Sequence, residues 1–312
     1  MVEKMPNYGG QAVIEGVMMR GGKAVAIAMR DPDKNIVIHT EELGGIYRSR
    51  AAQVPFVRGL VILWDALGLG MRALTISANL QTGDDEQLEG PMLYLTLGIS
   101  LALGAALFFL IPAGVGQLLE RFLGVNSWWS NLAEGAARLA LLIGYIWAIG
   151  LMPDVKRVYA YHGAEHKTIN AFEDGAELTP EVVATYSREH ARCGTAFLLT
   201  LVLISVLVFS LLGPMPFGWK IASRLLFIPV IAMLAYEYIR WTANHLDSPF
   251  VRALVKPNLA LQRLTTREPS LDILEVGIAA FNAMRAAEAE SAARAGDSPP
   301  KQAVNENKGV VI

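Results

Sequence analysis

Residues 90–119 read GPMLYLTLGISLALGAALFFLIPAGVGQLL, an unbroken run without one charged side chain. About 20 predominantly apolar residues suffice for a helix to cross the hydrocarbon of a bilayer. This stretch therefore decides for a membrane fold, with a first span near 92–115. Three further segments follow the same logic. Residues 133–152 are apolar apart from Glu134 and Arg138, one helical turn apart at the start. Residues 193–219 are uncharged and place a third span near 194–213. A fourth runs over about 221–241, bounded by Lys220 and Arg224 at one end and by Glu237 and Arg240 at the other. Trp128, Trp129, Trp219 and Trp241 suit interfacial positions. Composition agrees: the 312 residues are 53% hydrophobic and only 18% charged, against roughly 25% charged in soluble domains.

Basic residues set the sidedness. Nine Lys/Arg precede the first span, and Lys156, Arg157, Lys167, Arg188 and Arg192 lie between spans two and three. The connection between spans one and two carries Arg121 alone, and that between three and four Lys220 alone. Positive residues mark the cytoplasmic side. Four spans in the cell membrane with both termini cytoplasmic satisfy the pattern. Residues 1–8 have no apolar core and read as no signal peptide, so insertion is expected through internal segments. A net charge of −2 argues against a nucleic-acid partner, and a single cysteine excludes an intrachain disulfide framework.

The fold class expected is a mostly α, multi-pass membrane protein with a small β-rich cytoplasmic region and cytoplasmic amphipathic helices. The β-rich region covers 1–54. Residues 24–29 and 36–40 flank the turn sequence Asp31-Pro32-Asp33-Lys34-Asn35, and residues 11–19 supply another strand. Over 55–85, Phe56, Leu60, Leu63, Trp64, Leu67 and Met71 form an apolar stripe at helical spacing. Arg58, Asp65 and Arg72 interrupt it, so a helix lying in the membrane interface or packed on the spans is expected before a fifth span. The membrane domain is 86–245, with a cytoplasmic loop at 153–193. Thr179-Pro180-Glu181 starts a helix expected to carry His190 toward span three. A C-terminal cytoplasmic segment, 246–290, contains an amphipathic helix at 271–287, and 291–312 has a disordered composition.

The loop contains Tyr161-His162-Gly163-Ala164-Glu165-His166-Lys167. On a helix, His162 and His166 project from one face about a turn apart. Two imidazoles so placed can hold a divalent transition metal, zinc first, with Glu165 between them as general base. Only five histidines occur in the chain, which makes a chance His-x-x-Glu-His a weak explanation. The bland alternative is interfacial histidines hydrogen-bonded to backbone and headgroups. A metal needs a third ligand; His190 is the first candidate, with Cys193 or Glu237 as fourth, because the ends of spans two, three and four meet on this side. Cys193 by itself reads first as a small buried thiol. Gln11, Glu15 and Arg20 form a second polar set that can bind substrate, or simply accompany the glycine turns around a sheet.

Four blocks together resemble a known family: residues 9–20 (GGQAVIEGVMMR), residues 161–167, His190 with Arg192-Cys193-Gly194-Thr195, and Leu264-Thr265-Thr266-Arg267-Glu268-Pro269. They are similar to the YqhQ-like membrane proteins, domain-of-unknown-function family 1385, described as predicted metal-dependent enzymes. The resemblance covers about residues 8–285 and implies a membrane protein with metal chemistry. The family's His-Pro-Arg-Cys is His190-Ala191-Arg192-Cys193 here, which spares the candidate ligands.

The expected function is a metal-dependent, hydrolase-like enzyme at the cytoplasmic membrane face, acting on a lipid or a membrane peptide. The alternative is a non-enzymatic membrane scaffold or assembly factor that engages a cytoplasmic partner. Ion transport is disfavoured, because spans one and three lack ionisable residues and Glu134, Arg138, Glu237 and Arg240 are placed near span ends.

Overall fold

A computed structural model describes residues 8–43, 54–82, 90–213 and 215–295. The expected β-rich region extends beyond residue 43, and most of the 291–312 tail follows 295; those portions lie outside the described residues.

The chain opens with four strands, β1 (Gly9–Val13), β2 (Gly16–Arg20), β3 (Ala24–Arg30) and β4 (Ile36–Glu42), in an antiparallel meander of order β1-β2-β3-β4. The single strand expected over 11–19 is a hairpin instead. Val13 pairs with Gly16, leaving a two-residue loop of Ile14 and Glu15, with Glu15 at φ 53°. Such loops need positive φ, and the usual Asn-Gly signal is absent. β3 is buried on both faces, which is why it reads as a continuous apolar run rather than an alternating one.

Helices cover both faces of the sheet. Val17, Met19, Ala26 and Ala28 pack on α5 (Pro153–Glu173) and α11 (Leu271–Ala295). Val13, Met18, Val25, Ile27 and Met29 pack on Ala73 and its neighbours in α1 (Val57–Thr82). The other end of α1 meets α9 (Ile228–Ala243): Arg58 pairs with Glu237, and Gly59 lies against Tyr236. Glu237 is six residues, about 9 Å, before the C-terminal end of α9. One helix thus ties the sheet to the end of α9.

Among the described residues, three helices are long and apolar enough to cross a membrane: Val57–Thr82, Tyr94–Leu123 and Ser127–Ile149. The second joins α2 (Gly90–Ala105), a π-helical turn (Ala106–Leu110) and α3 (Ile111–Leu123); the third is α4. A fourth is formed if α8 (Phe217–Leu226) and α9, bent by 43° to one another, count as one. The break falls where Pro229 enters the first turn of α9 and removes a backbone donor. The membership differs from expectation at two places. Val57–Thr82 qualifies by length and hydropathy, and α7 (Thr195–Ser210), the expected third span, has only 16 residues.

α4, α7, α9 and α3 pack as a bundle with α10 (Pro249–Thr265) against α7 and α4. Glu134 and Arg138 are not at its end. α4 starts at Ser127, so they lie seven and eleven residues inside it, about 10 and 16 Å along its axis. Arg224 grips both oxygens of Glu134, at 2.9 and 2.8 Å, and donates to Asn131. Arg138 donates to Glu134, to Ser205 and to the Phe108 carbonyl in the π-helical turn. Lys220 reaches Ser130 and Glu120. Each buried charge is satisfied, as burial in a low-dielectric core demands.

Candidate metal centre

Pro153 occupies the first turn of α5, where its missing N–H costs nothing. α5 follows α4 after three residues, so it leaves the bundle at the end of that helix and crosses the sheet. His162 and His166 share one face, their rings 4.4 Å apart. Opposite stand the segment before α7 and the C-terminal end of α10.

Both imidazoles are oriented by backbone. His162 Nδ1 lies 2.9 Å from the Thr265 carbonyl, and His166 Nδ1 bonds the Arg188 carbonyl. A carbonyl only accepts, so each Nδ1 carries a proton, and in the neutral ring that leaves the lone pair on Nε2. His162 Nε2 faces Cys193 Sγ at 3.3 Å. His166 Nε2 is buried and has no hydrogen-bond partner among the described residues. His162, His166 and Cys193 each offer one ligand atom, a ring nitrogen or Sγ, and these atoms lie within 4.8 Å of one another. Tetrahedral zinc ligands at 2.0–2.3 Å stand roughly 3.3–3.8 Å apart, so the set would need only small side-chain rotations to meet on one ion. Imidazole and thiolate suit zinc, and Nδ1–H to carbonyl is the usual support of a ligating histidine. Cys193 Sγ also receives the Thr195 N–H at 3.4 Å and lies 3.1 Å from the Thr195 hydroxyl, at the N-terminus of α7.

Glu165 is fully buried against β1. Burial pushes its carboxyl up to about 7, opposed by His162 and by the Gly10 N–H. A Cβ at position 10 would press on the Glu165 side chain, which accounts for glycine there. Oε2 of Glu165 has no hydrogen-bond partner among the described residues.

His190 and Cys193 do not enter as a pair. The helix expected from Thr179 is only α6 (Pro180–Val183), and His190 sits in the turns that follow. Its ring is 5.6 Å from that of His166, and its Nε2 points toward Glu173 at 3.8 Å. It lines the group without belonging to it. Burial holds its pKa below the usual histidine range. Gln262 clamps its backbone through both N–H and carbonyl.

Glu237 is elsewhere. It accepts from the Arg58 side chain and the Phe56 N–H, so it holds α1 to α9 and is no fourth ligand. Gln11, Glu15 and Arg20 are also dispersed. Gln11 fits against Gly70 of α1, Glu15 pairs with Arg157 and accepts from Tyr161, and Arg20 lies 3.4 Å from Asp65. They join the hairpin to α5 and α1. The groups that sequence reasoning missed are the carbonyls of Thr265 and Arg188. Backbone acceptors leave no trace in residue identity, although the block 264–269 points to the first. Gly163 completes that contact: the Arg267 carbonyl lies where its Cβ would be, and the Arg267 N–H donates to Tyr159.

These elements define a helical protein with a sheet-braced His/Cys centre at the end of an apolar bundle. The chain belongs to the family described as protein of unknown function DUF1385, whose model matches residues 54–287. It is 34% identical over 307 residues to the uncharacterized protein YqhQ of Bacillus subtilis strain 168, covering 92% of this chain and 94% of that relative. No solved structure matches.

Proposed function

We propose that this protein is an integral membrane enzyme, a zinc-dependent hydrolase of the cytoplasmic face of the cell membrane. The observation that carries the proposal is the convergence of His162, His166 and Cys193, one ligand atom from each within 4.8 Å of the others, with His166 Nε2 buried and unpartnered among the described residues. Three protein ligands leave a fourth position open, the mark of catalytic rather than structural zinc. Zinc there would supply Lewis-acid polarisation of a carbonyl or phosphoryl oxygen. Glu165 serves as general base: its Oε2 is free, and an affinity for protons near neutrality lets it both take and return one.

Membrane insertion is supported by the bundle's outer surface. Tyr94, Leu101, Leu103, Phe122, Leu211 and Leu226 are largely exposed, more apolar surface than water tolerates on a monomer. The end of α4 and the start of α7 face α5, so an even number of crossings with both termini cytoplasmic fits the distribution of basic residues. α1 fits an interfacial role despite its length, because one end packs on the sheet and the other meets α9 near its last turns. An apolar cavity of about 270 Å³ between Phe108, Leu142, Ile146, Leu198, Val202 and Ile231 is lined by the same helix, α7, that Cys193 precedes, and favours an acyl-bearing substrate.

Elemental analysis of detergent-purified protein beside a His162→Ala/His166→Ala variant tests the metal. About one zinc per chain, lost in the variant, is expected. Absence of zinc in both, with cellular function retained in Glu165→Gln, would favour the scaffold role.

A further inference from the structure

We propose that a polar cavity beside the metal centre recognises a phosphoryl group of the substrate, an inference that rests on the hydrolase reading above. The cavity has a volume of about 240 Å³ and is lined chiefly by Lys167, Tyr186, Arg188, Glu189, Arg263 and Glu268. At about 30 Å³ per water, that is room for roughly eight waters, enough for a phosphate and part of the group it is attached to.

Its walls are those of the metal centre. Lys167 follows His166 in the chain. Arg188 supplies the carbonyl that orients His166. Thr266, also in the lining, follows Thr265, whose carbonyl orients His162. A group bound here meets the residue that supports His166 and the chain neighbour of the residue that supports His162.

The charge is right for a phosphoryl group. Three cations face two carboxylates, and Glu189 is engaged by Arg263 at 2.6 Å. That leaves Lys167 and Arg188 converging on Glu268, at 2.6 and 3.4 Å. The exposures differ sharply: the Lys167 side chain is 4% exposed and Glu268 62%. A buried ammonium is thus neutralised by a carboxylate that is itself mostly in water. Glu268 holds the place of an anion and can leave it for solvent at small cost, whereas Lys167 cannot leave. A dianionic phosphoryl group offers more charge and more acceptor oxygens to a lysine and an arginine than one carboxylate does. The same chemistry is presented by a phospholipid headgroup and by a soluble phosphate ester.

The test uses the full chain in phosphatidylcholine nanodiscs, titrated with inorganic phosphate against chloride at matched ionic strength, with the thermal unfolding midpoint as readout. Phosphate is expected to raise the midpoint of the wild type. Glu268→Gln, which removes the competing anion, should half-saturate at about tenfold lower phosphate, the worth of one charge-assisted contact. Lys167→Met should lose the response; Arg188→Gln serves where that variant does not fold. Nanodiscs containing phosphatidic acid separate the sources: a raised midpoint with no further response to phosphate assigns the headgroup, and an unchanged response assigns a soluble phosphate compound. No response in wild type or Glu268→Gln, or a wild-type response in folded Lys167→Met and Arg188→Gln, overturns the proposal. Zinc measured on the same samples separates the two claims. Stoichiometric zinc without a phosphate response removes only this substrate class, and a phosphate response without zinc removes only the metal centre.

Discussion

His162 Nε2 and Cys193 Sγ lie 3.3 Å apart although 31 residues separate them in the chain. The contact joins a helix that rides on the sheet to the first turn of a bundle helix, so the site exists only when both halves are assembled. Cys193→Ser keeps the size of the side chain and replaces a soft ligand with a poor one. Loss of an outer-shell partner alone costs 10–100-fold in metal affinity. We expect at least about a hundredfold weaker zinc binding in chelator competition, with the unfolding midpoint of the metal-free protein little changed.

Gly163 ties the 264–269 segment to α5. Gly163→Ala places a methyl group on the Arg267 carbonyl, which must move and draw the Thr265 carbonyl from His162. A loss of about 1–3 kcal/mol in stability, the usual size for forced overpacking, together with weaker zinc binding, is expected. Gly144→Ala, with open space at its Cβ, is the control and should change neither.

Glu165 makes stability depend on pH. Its proton affinity is raised in the folded state, from 4.5 to about 7, chiefly by burial. A raised carboxyl pKa contributes stability that is fully present below the unfolded value and is lost as pH rises through the folded one. Glu165 should therefore withdraw stability from the metal-free wild type between about pH 5 and 8, by an amount on the order of 3 kcal/mol. Buried His190, with its pKa held low, works in the opposite direction over the same window, so the readout is the difference between wild type and Glu165→Gln in chemical or thermal unfolding, which should fall as pH rises. A difference that does not change with pH would remove Glu165 as a group titrating near neutrality.

Glu134 neutralises Arg138 and Arg224 within the bundle. Glu134→Ala leaves two buried guanidinium groups without their carboxylate. Removal of one partner from a buried pair typically costs 3–5 kcal/mol, and a drop of that order in detergent or nanodisc unfolding is expected. Retained stability would mean that the network is hydrated rather than closed.

Sidedness is testable with the single cysteine removed. In a Cys193→Ser background, Glu177→Cys should react with an impermeant thiol reagent only after the membrane is opened, and Arg121→Cys should react in intact cells. The reverse pattern would place the His/Cys centre outside.

Two features are legible in the residues themselves. The run 90–119 announces a long apolar helix because nothing but lipid or core accepts thirty such residues. The spacing of His162 and His166 announces a shared face because helix geometry alone sets it. Elsewhere tertiary contacts overrule local pattern. Ile14-Glu15 makes a tight hairpin without turn-favouring residues, supported by Arg157 and Tyr161 from α5. Arg58, Asp65 and Arg72 look like helix interruptions, yet α1 is continuous because Arg58 and Arg72 pair with Glu237 and Glu41 and Asp65 with Arg20. The same contact takes Glu237 out of the candidate ligand set. Counting charge along the sequence puts Glu134 and Arg138 at a span end, whereas α4 begins earlier and buries them. Spacing cannot rank Cys193 and His190 as ligands, since that order depends on how the turns after Val183 are folded.

Cobalt(II) substitution tests the central claim most directly, since thiolate and imidazole ligation to one ion gives an intense thiolate-to-cobalt absorption in the near ultraviolet and strong tetrahedral bands in the visible. The His/Cys centre should bind one cobalt per chain, lose the near-ultraviolet absorption in Cys193→Ser with the metal still weakly held, and bind no cobalt in His162→Ala/His166→Ala. Failure of the folded wild type to bind cobalt or zinc stoichiometrically, or a spectrum unchanged by Cys193→Ser, would contradict it.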